Sequence, residues 1–323
     1  MEGSFSSSDG VPTPARTVTA LAEHVCSLLG PTAQAALHYG SRAQGRATRP
    51  DSAFDFFIIV GSYRQAYRAF AARPQTQGHG TLAFILSWIL PPNAISVRMR
   101  DALGEHEAKC LVFSKRHFRR ECSRRARDHF VQGRISQRVL LAWSRDADCA
   151  EEAWDAVRQA RERTYQWVRV FLPPRFDVAV YCRTMLEVSL TYEIRTEGKG
   201  YAETLYAAQR DVLRGIYGPV LARLEQQGVL TRDEGFYRQV RVAGVVTRLR
   251  VRTYFRFSTL RATLRLLKHP FLYDDWLDYL VQKIDRSTGV KVVLTDRERK
   301  WPLIFLWPRA IRFLRHRQRN EVT

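Results

Sequence analysis

"YGSRAQGRATRPDSAFDFFIIV", Tyr39 to Val60, is the stretch on which the reading of this chain turns. An apolar run, "AALHY", ends in a Gly-Ser pair, a polar loop follows, and a second apolar run, "FDFFIIV", opens around one acid, Asp55. Two short apolar runs on either side of a polar loop read as neighbouring strands. Two positions before Asp55, where a paired-acid motif would have its second carboxylate, the chain has Ala53.

These residue types can hold a polyphosphate. Gly40 lets the backbone approach phosphate oxygens closely, and the Ser41 hydroxyl and the following N–H groups can bond to them. Arg42, Arg46 and Arg49 add positive charge. Asp55, at the start of its strand, could bring Mg²⁺ to the same phosphates. A Gly-Ser turn followed by an Asp that merely caps a strand would look the same over so short a span. Asp51, another acid in the loop, reads as a turn former after Pro50.

Working outward, the 323 residues, 45% of them hydrophobic, suffice for a substantial core. The net charge of +20 and pI of about 10.3 favour phosphate-bearing partners: nucleotides, nucleic acid or an anionic lipid face. The five cysteines are scattered with no CxxC pair, which reads as reduced thiols with neither a zinc site nor a disulfide framework. The N-terminus lacks a signal-peptide core, and no apolar run approaches the roughly 20 residues of a spanning helix. The expectation is a cytoplasmic protein, peripheral to the inner face of the membrane.

The pattern predicts a disordered tail over 1–18, a sheet-bearing domain over 19–150, a mainly helical domain over 151–267, and a C-terminal helix and tail over 268–323. In the first, 19–30 reads as a helix stopping at Gly30, and "NAISVRM" and "AKCLVFS" as two further strands. The segment 81–90 reads equally as helix or strand. Beyond 150 three helical stretches follow, and 236–257, where apolar residues alternate with arginine in places, reads as a half-exposed strand pair. The tail's "WPLIFLWPRAIRFLRHRQR" sets Trp301, Phe305 and Trp307 beside Arg309 and Arg312, a composition suited to an anionic membrane surface. A segment packed on the core with a solvated basic end has the same composition. The fold class is α+β: a nucleotidyltransferase-like mixed sheet with flanking helices, a helical second domain and a basic aromatic tail.

The residues resemble a known family. "YGS…DFFIIV" is similar to the "YGSG…DF-apolar" core of the mitochondrial-type phosphatidate cytidylyltransferases, the translocator assembly and maintenance family, which also has an apolar residue at the place of Ala53. "AKCLVFS", "DHFVQGRISQRV", "FLPPRF", "EVSLTYEIR" and "AAQRDVLRGIYGPVL" resemble successive segments of that family, in order, over roughly residues 36–222. Three departures stand out: Arg42 replaces the family's glycine after "YGS", the chain from Tyr63 onward lacks the family's acidic and His-rich stretch, and the tail over 268–323 has no counterpart. The chain is therefore read as a distant, bacterial-type relative.

The resemblance implies transfer of CMP from CTP to phosphatidate or a related lipid phosphate, with Mg²⁺, yielding CDP-diacylglycerol and pyrophosphate. Gly40 and Ser41, with Arg42, would hold the triphosphate, Asp55 would hold Mg²⁺, and Lys109, Arg134 and Arg195 would contact phosphate. Glu193 would be a second metal carboxylate or a partner of Arg195. Two other readings remain: a nucleic-acid acceptor, which the charge would suit although no recognisable nucleic-acid motif supports it, and a non-catalytic nucleotide- or lipid-binding protein.

Overall fold

In the computed structural model, the described residues are 13–46, 52–72, 92–101, 104–192 and 200–266, together with 294, 295 and 297. Helix α1 (Thr13–Leu28) begins before residue 19, and the tight turn Gly30–Thr32 leads into strand β1 (Ala33–Tyr39). After the short helix α2 (Gly40–Ala43) come β2 (Phe54–Val60), α3 (Tyr63–Ala71), β3 (Asn93–Asp101) and β4 (Gly104–Ser114). Helices α4 (Lys115–Glu121) and α5 (Phe130–Ile135), strand β5 (Leu140–Ser144) and α6 (Ala147–Glu162) complete the sheet-bearing part.

The five strands lie in the order β3-β4-β2-β1-β5. β1 is antiparallel to β2 and to β5, β3 is antiparallel to β4, and β2 and β4 run parallel. A parallel pair needs a crossover, here residues 61–103 with α3 and β3. β1 and β2 are central, so six of the seven positions in each are buried and their sequences read as near-continuous apolar runs. The edge strand β3 alternates and carries Arg98 and Arg100, which discourage pairing with another chain.

Helices cover both faces. On one, α1 crosses β1, β2, β4 and β5. On the other, Leu37, Tyr39, Phe57 and Phe113 pack against Phe118 of α4, Val131 and Ile135 of α5, and the small face of α6. That face consists of Ala153, Ala156, Val157 and Ala160, whose short side chains admit the helix close to the sheet. Asp146 caps α6 by accepting the Cys149 N–H at 2.7 Å. All five cysteines are buried and free, as an unbridged framework requires.

The helical part comprises α7 (Tyr165–Val168), α8 (Val178–Thr191), α9 (Tyr201–Gln226), the hairpin β6 (Leu230–Asp233) and β7 (Phe236–Gln239), and α10 (Val245–Leu266). Its core is aromatic-rich, with Phe176, Tyr181, Tyr206, Tyr217 and Phe255 fully buried. The hairpin turns at Glu234 and Gly235, both with positive φ (49° and 85°), the conformation that joins two-residue hairpins.

The predicted strand pair over 236–257 is corrected here: only 236–239 is strand, and 245–266 is helix. Arginine and leucine are good helix formers, and Phe255, Ser258 and Arg265, buried at helical spacing, anchor α10 along one side. Alternation over a few residues did not reveal that longer period.

The chain divides into Met1–Arg265 and Leu266–Thr323. Within the first unit, hydrogen bonds connect the sheet-bearing and helical parts. The Tyr217 hydroxyl donates to the Ser136 carbonyl at 2.8 Å, and Gln209 accepts the Arg138 N–H at 2.9 Å. The segment 81–90 and the tail, with its expected aromatic anchor, lie outside the described residues.

Candidate nucleotide site

The site forms where β1 ends. Tyr39 is the register partner of Asp55, and Asp55 is the partner of Lys109 across the parallel pair. The three residues make a row over β1, β2 and β4, with Ser96 of β3 next in line. Residues paired this way share a sheet face, which is the face of Tyr39, Phe57 and Phe113. Asp55 is the only charged residue of β2 and the exception in its run of buried positions.

Gly40 follows Tyr39 with φ +84°, a conformation that favours glycine. It has a second reason to be glycine: a Cβ there would overlap Oδ2 of Asp55 and sit 3.1 Å from its Cγ and 3.2 Å from its Cβ. The Asp55 carboxylate thus lies directly on the Gly40 backbone. Ser41 is half-buried on α2, one residue further on.

Arg42 closes the loop. Its Nε donates to the Ser52 carbonyl at 2.5 Å, and its guanidinium lies 4.1 Å over the Phe54 ring. Arg46 is turned to the helical part, donating to Tyr201 and to Gln44 at 3.0 Å each. Behind the turn, Gln44 donates to Gln137 at 2.8 Å, and Gln209 of α9 accepts the Arg138 N–H at 2.9 Å. This buried amide network ties the Gly-Ser turn to α9.

The remaining predicted residues fall as follows. Arg134 donates to the Phe130 carbonyl at 2.9 Å and stacks 3.8 Å from that ring, on a helix covering the same sheet face. Glu193 and Arg195 lie outside the described residues, after α8 ends at Thr191, as do Arg49, Asp51, Trp301, Phe305, Trp307, Arg309 and Arg312. The structure therefore brings Gly40, Ser41, Asp55 and Lys109 to one margin of the sheet.

One residue escaped the sequence reading. Continuing the β2–β4 register one position past Phe54 and Ala108 sets Glu107 beside Ala53. Glu107 shares the face of Lys109 and Asp55, and its Oε1 accepts the Ser96 hydroxyl at 2.8 Å. The "EHEAK" alternation was visible, but nothing in the sequence says which strand β4 lies against.

The histidine nearest the turn cannot add charge. His38 sits on the opposite sheet face, 2% exposed, between Phe54 and Phe56. Burial, with Arg42 and Arg138 nearby, lowers its pKa to about 4, so it is neutral at neutral pH. Among the described residues no three His, Cys, Asp or Glu gather as a metal cluster. Mg²⁺ is commonly held by one or two carboxylates, with substrate phosphates and water completing its shell. Asp55, with Glu107 on the next strand, fits that donor set, and the Asp55 carboxylate sits against the Gly40 backbone at the turn.

The mixed sheet with helices on both faces is an α+β architecture. Among solved structures, a nucleotidyltransferase-like protein from Exiguobacterium sibiricum is similar over 89% of this chain and 85% of its own, at 10% identity and a TM-score of 0.23, a distant likeness. No protein-family model and no curated protein matches the chain. Among the described residues no helix is long and apolar enough to cross a membrane.

Proposed function

We propose that this chain is a Mg²⁺-dependent nucleotidyltransferase that transfers CMP from CTP to phosphatidate or a related lipid phosphate. The observation that carries the nucleotidyl part is the Asp55 carboxylate lying on Gly40 with Lys109 at its side. The cytidine base and the lipid acceptor are carried by the family resemblance and by the charge argument below.

The chemistry needs little from the protein beyond positioning and neutralisation. Gly40 and Ser41 would cradle the triphosphate, and Asp55 and Glu107 would hold Mg²⁺, which when bound neutralises charge on the phosphate oxygens. Lys109 would orient phosphate oxygens from the β4 side. An acceptor oxygen attacks the α-phosphorus, the bond from that phosphorus to the bridging oxygen of the β-phosphate breaks, and pyrophosphate leaves. A phosphate monoester is already anionic near neutral pH, its second pKa being about 6, and needs no base. A hydroxyl acceptor would need one, and the nearby His38 is buried on the other face.

Incubation with Mg²⁺, each labelled nucleoside triphosphate, and phosphatidate vesicles or RNA tests the reading. Label appearing in lipid with CTP, and abolished in a folded Asp55→Ala protein, supports it. Label in RNA assigns a nucleic-acid acceptor instead, and no transfer with any nucleotide leaves a binding protein.

A further inference from the structure

The outer face of α10 is apolar and unusually basic. Val246, Leu249, Phe257, Leu260 and Leu264 are 40–81% exposed. At 100° per residue they fall in one stripe, opposite the side on which Phe255, Ser258 and Arg265 are buried. The helix contains six arginines and no acid, and four of the six, Arg248, Arg250, Arg252 and Arg256, are exposed. It is held at its far end by Asp128, which accepts from Arg261 at 3.2 Å and from Arg265.

We infer that α10 lies along an anionic phospholipid surface, with this stripe in the headgroup–acyl boundary and Arg250, Arg252 and Arg256, the exposed arginines on its two sides, on lipid phosphates. A row of apolar side chains between cations is the composition of an interfacial helix. Two other occupants fit less well. Nucleic acid would take the arginines and leave the apolar stripe in water. A second copy of α10 would bring one arginine-only helix against another, with no acid to offset it. The inference does not rest on the nucleotide site.

Flotation of the full-length protein on vesicles of phosphatidylcholine alone, and of equimolar phosphatidylcholine and phosphatidylglycerol, tests it. Binding is expected to the anionic vesicles, and to fall at least tenfold in a Leu249→Ser, Phe257→Ser double variant and in an Arg252→Gln, Arg256→Gln variant. These positions are exposed, so unchanged melting curves confirm that the variants fold. In a Phe257→Trp protein, indole emission should shift to the blue on anionic vesicles. No flotation, flotation untouched by the serine changes, or a dimer that those changes dissociate would each overturn the inference. A protein that floats as expected yet turns over no nucleotide would overturn the proposed activity and leave this surface standing.

Discussion

The carboxylate of Asp55 rests on the backbone of Gly40, so closely that no β-carbon fits between them. Pairing of Tyr39 with Asp55 across β1 and β2 sets this contact, and the positive φ of Gly40 turns the chain away from it. One strand's last residue thereby delivers a glycine-serine turn to another strand's only acid.

Gly40→Ala should therefore damage both fold and site. The left-handed conformation costs a non-glycine residue about 1–2 kcal/mol, and the new methyl displaces Asp55. The expected outcome is a lower melting temperature together with loss of nucleotidyl transfer. Wild-type turnover in this variant would remove the turn from the site.

Removing the acid alone should separate activity from stability. Asp55→Asn keeps the shape but not the charge, and is expected to lower turnover by about 100-fold or more, in the range seen when one electrostatic group is removed from an active site. Its melting temperature should match or exceed that of the wild type. Mg²⁺ titration should show weaker dependence on the metal.

Glu107→Gln tests the neighbouring strand. If Glu107 supplies the carboxylate that Ala53 lacks, the variant should need a higher Mg²⁺ concentration for half-maximal rate. Ser96→Ala removes the hydroxyl that Glu107 accepts and should give a smaller shift in the same direction. An unchanged Mg²⁺ requirement in Glu107→Gln would limit the protein's share of the metal shell to Asp55.

The pH dependence of stability should carry the mark of His38. Its folded pKa, about 4, lies below the ordinary histidine value of roughly 6.5, so the unfolded chain binds its proton first. Stability from this group is present above the unfolded value and lost as pH falls from there toward the folded one. Between pH 7 and pH 5 the loss should be about 2 kcal/mol. Denaturant midpoints for wild type and His38→Leu at both pH values check this, the variant being less acid-sensitive by that amount.

Asp128 anchors α10. With its side chain 5% exposed and that of Arg265 9% exposed, Asp128→Ala strands a buried guanidinium and removes the acceptor of the Phe130 N–H. A loss of about 3–5 kcal/mol is expected by equilibrium unfolding. The double variant Asp128→Ala, Arg265→Met should recover part of it, because the unpaired charge is gone.

The sequence alone showed β1 and β2, because central strands covered on both faces must be apolar throughout, and a lone Asp in such a run stands out. It showed α8 and α9 through their helical period, and the cysteines as free thiols. It did not show α10, whose short alternation of valine, leucine and arginine mimics a strand over 245–252. It did not show that Arg46 is engaged by Tyr201, since that partner comes from chain more than a hundred residues away.

Residue type and local spacing were enough to name the parts of the candidate site: a glycine that can take positive φ, a serine after it, and an acid opening a strand. Their assembly came from pairing. The order β3-β4-β2-β1-β5 brought Lys109 and Glu107 to Asp55 and Ala53, across more than fifty residues of chain. A strand's apolar pattern records that it is buried but not which neighbour buries it, because backbone hydrogen bonds between strands are alike whatever the side chains.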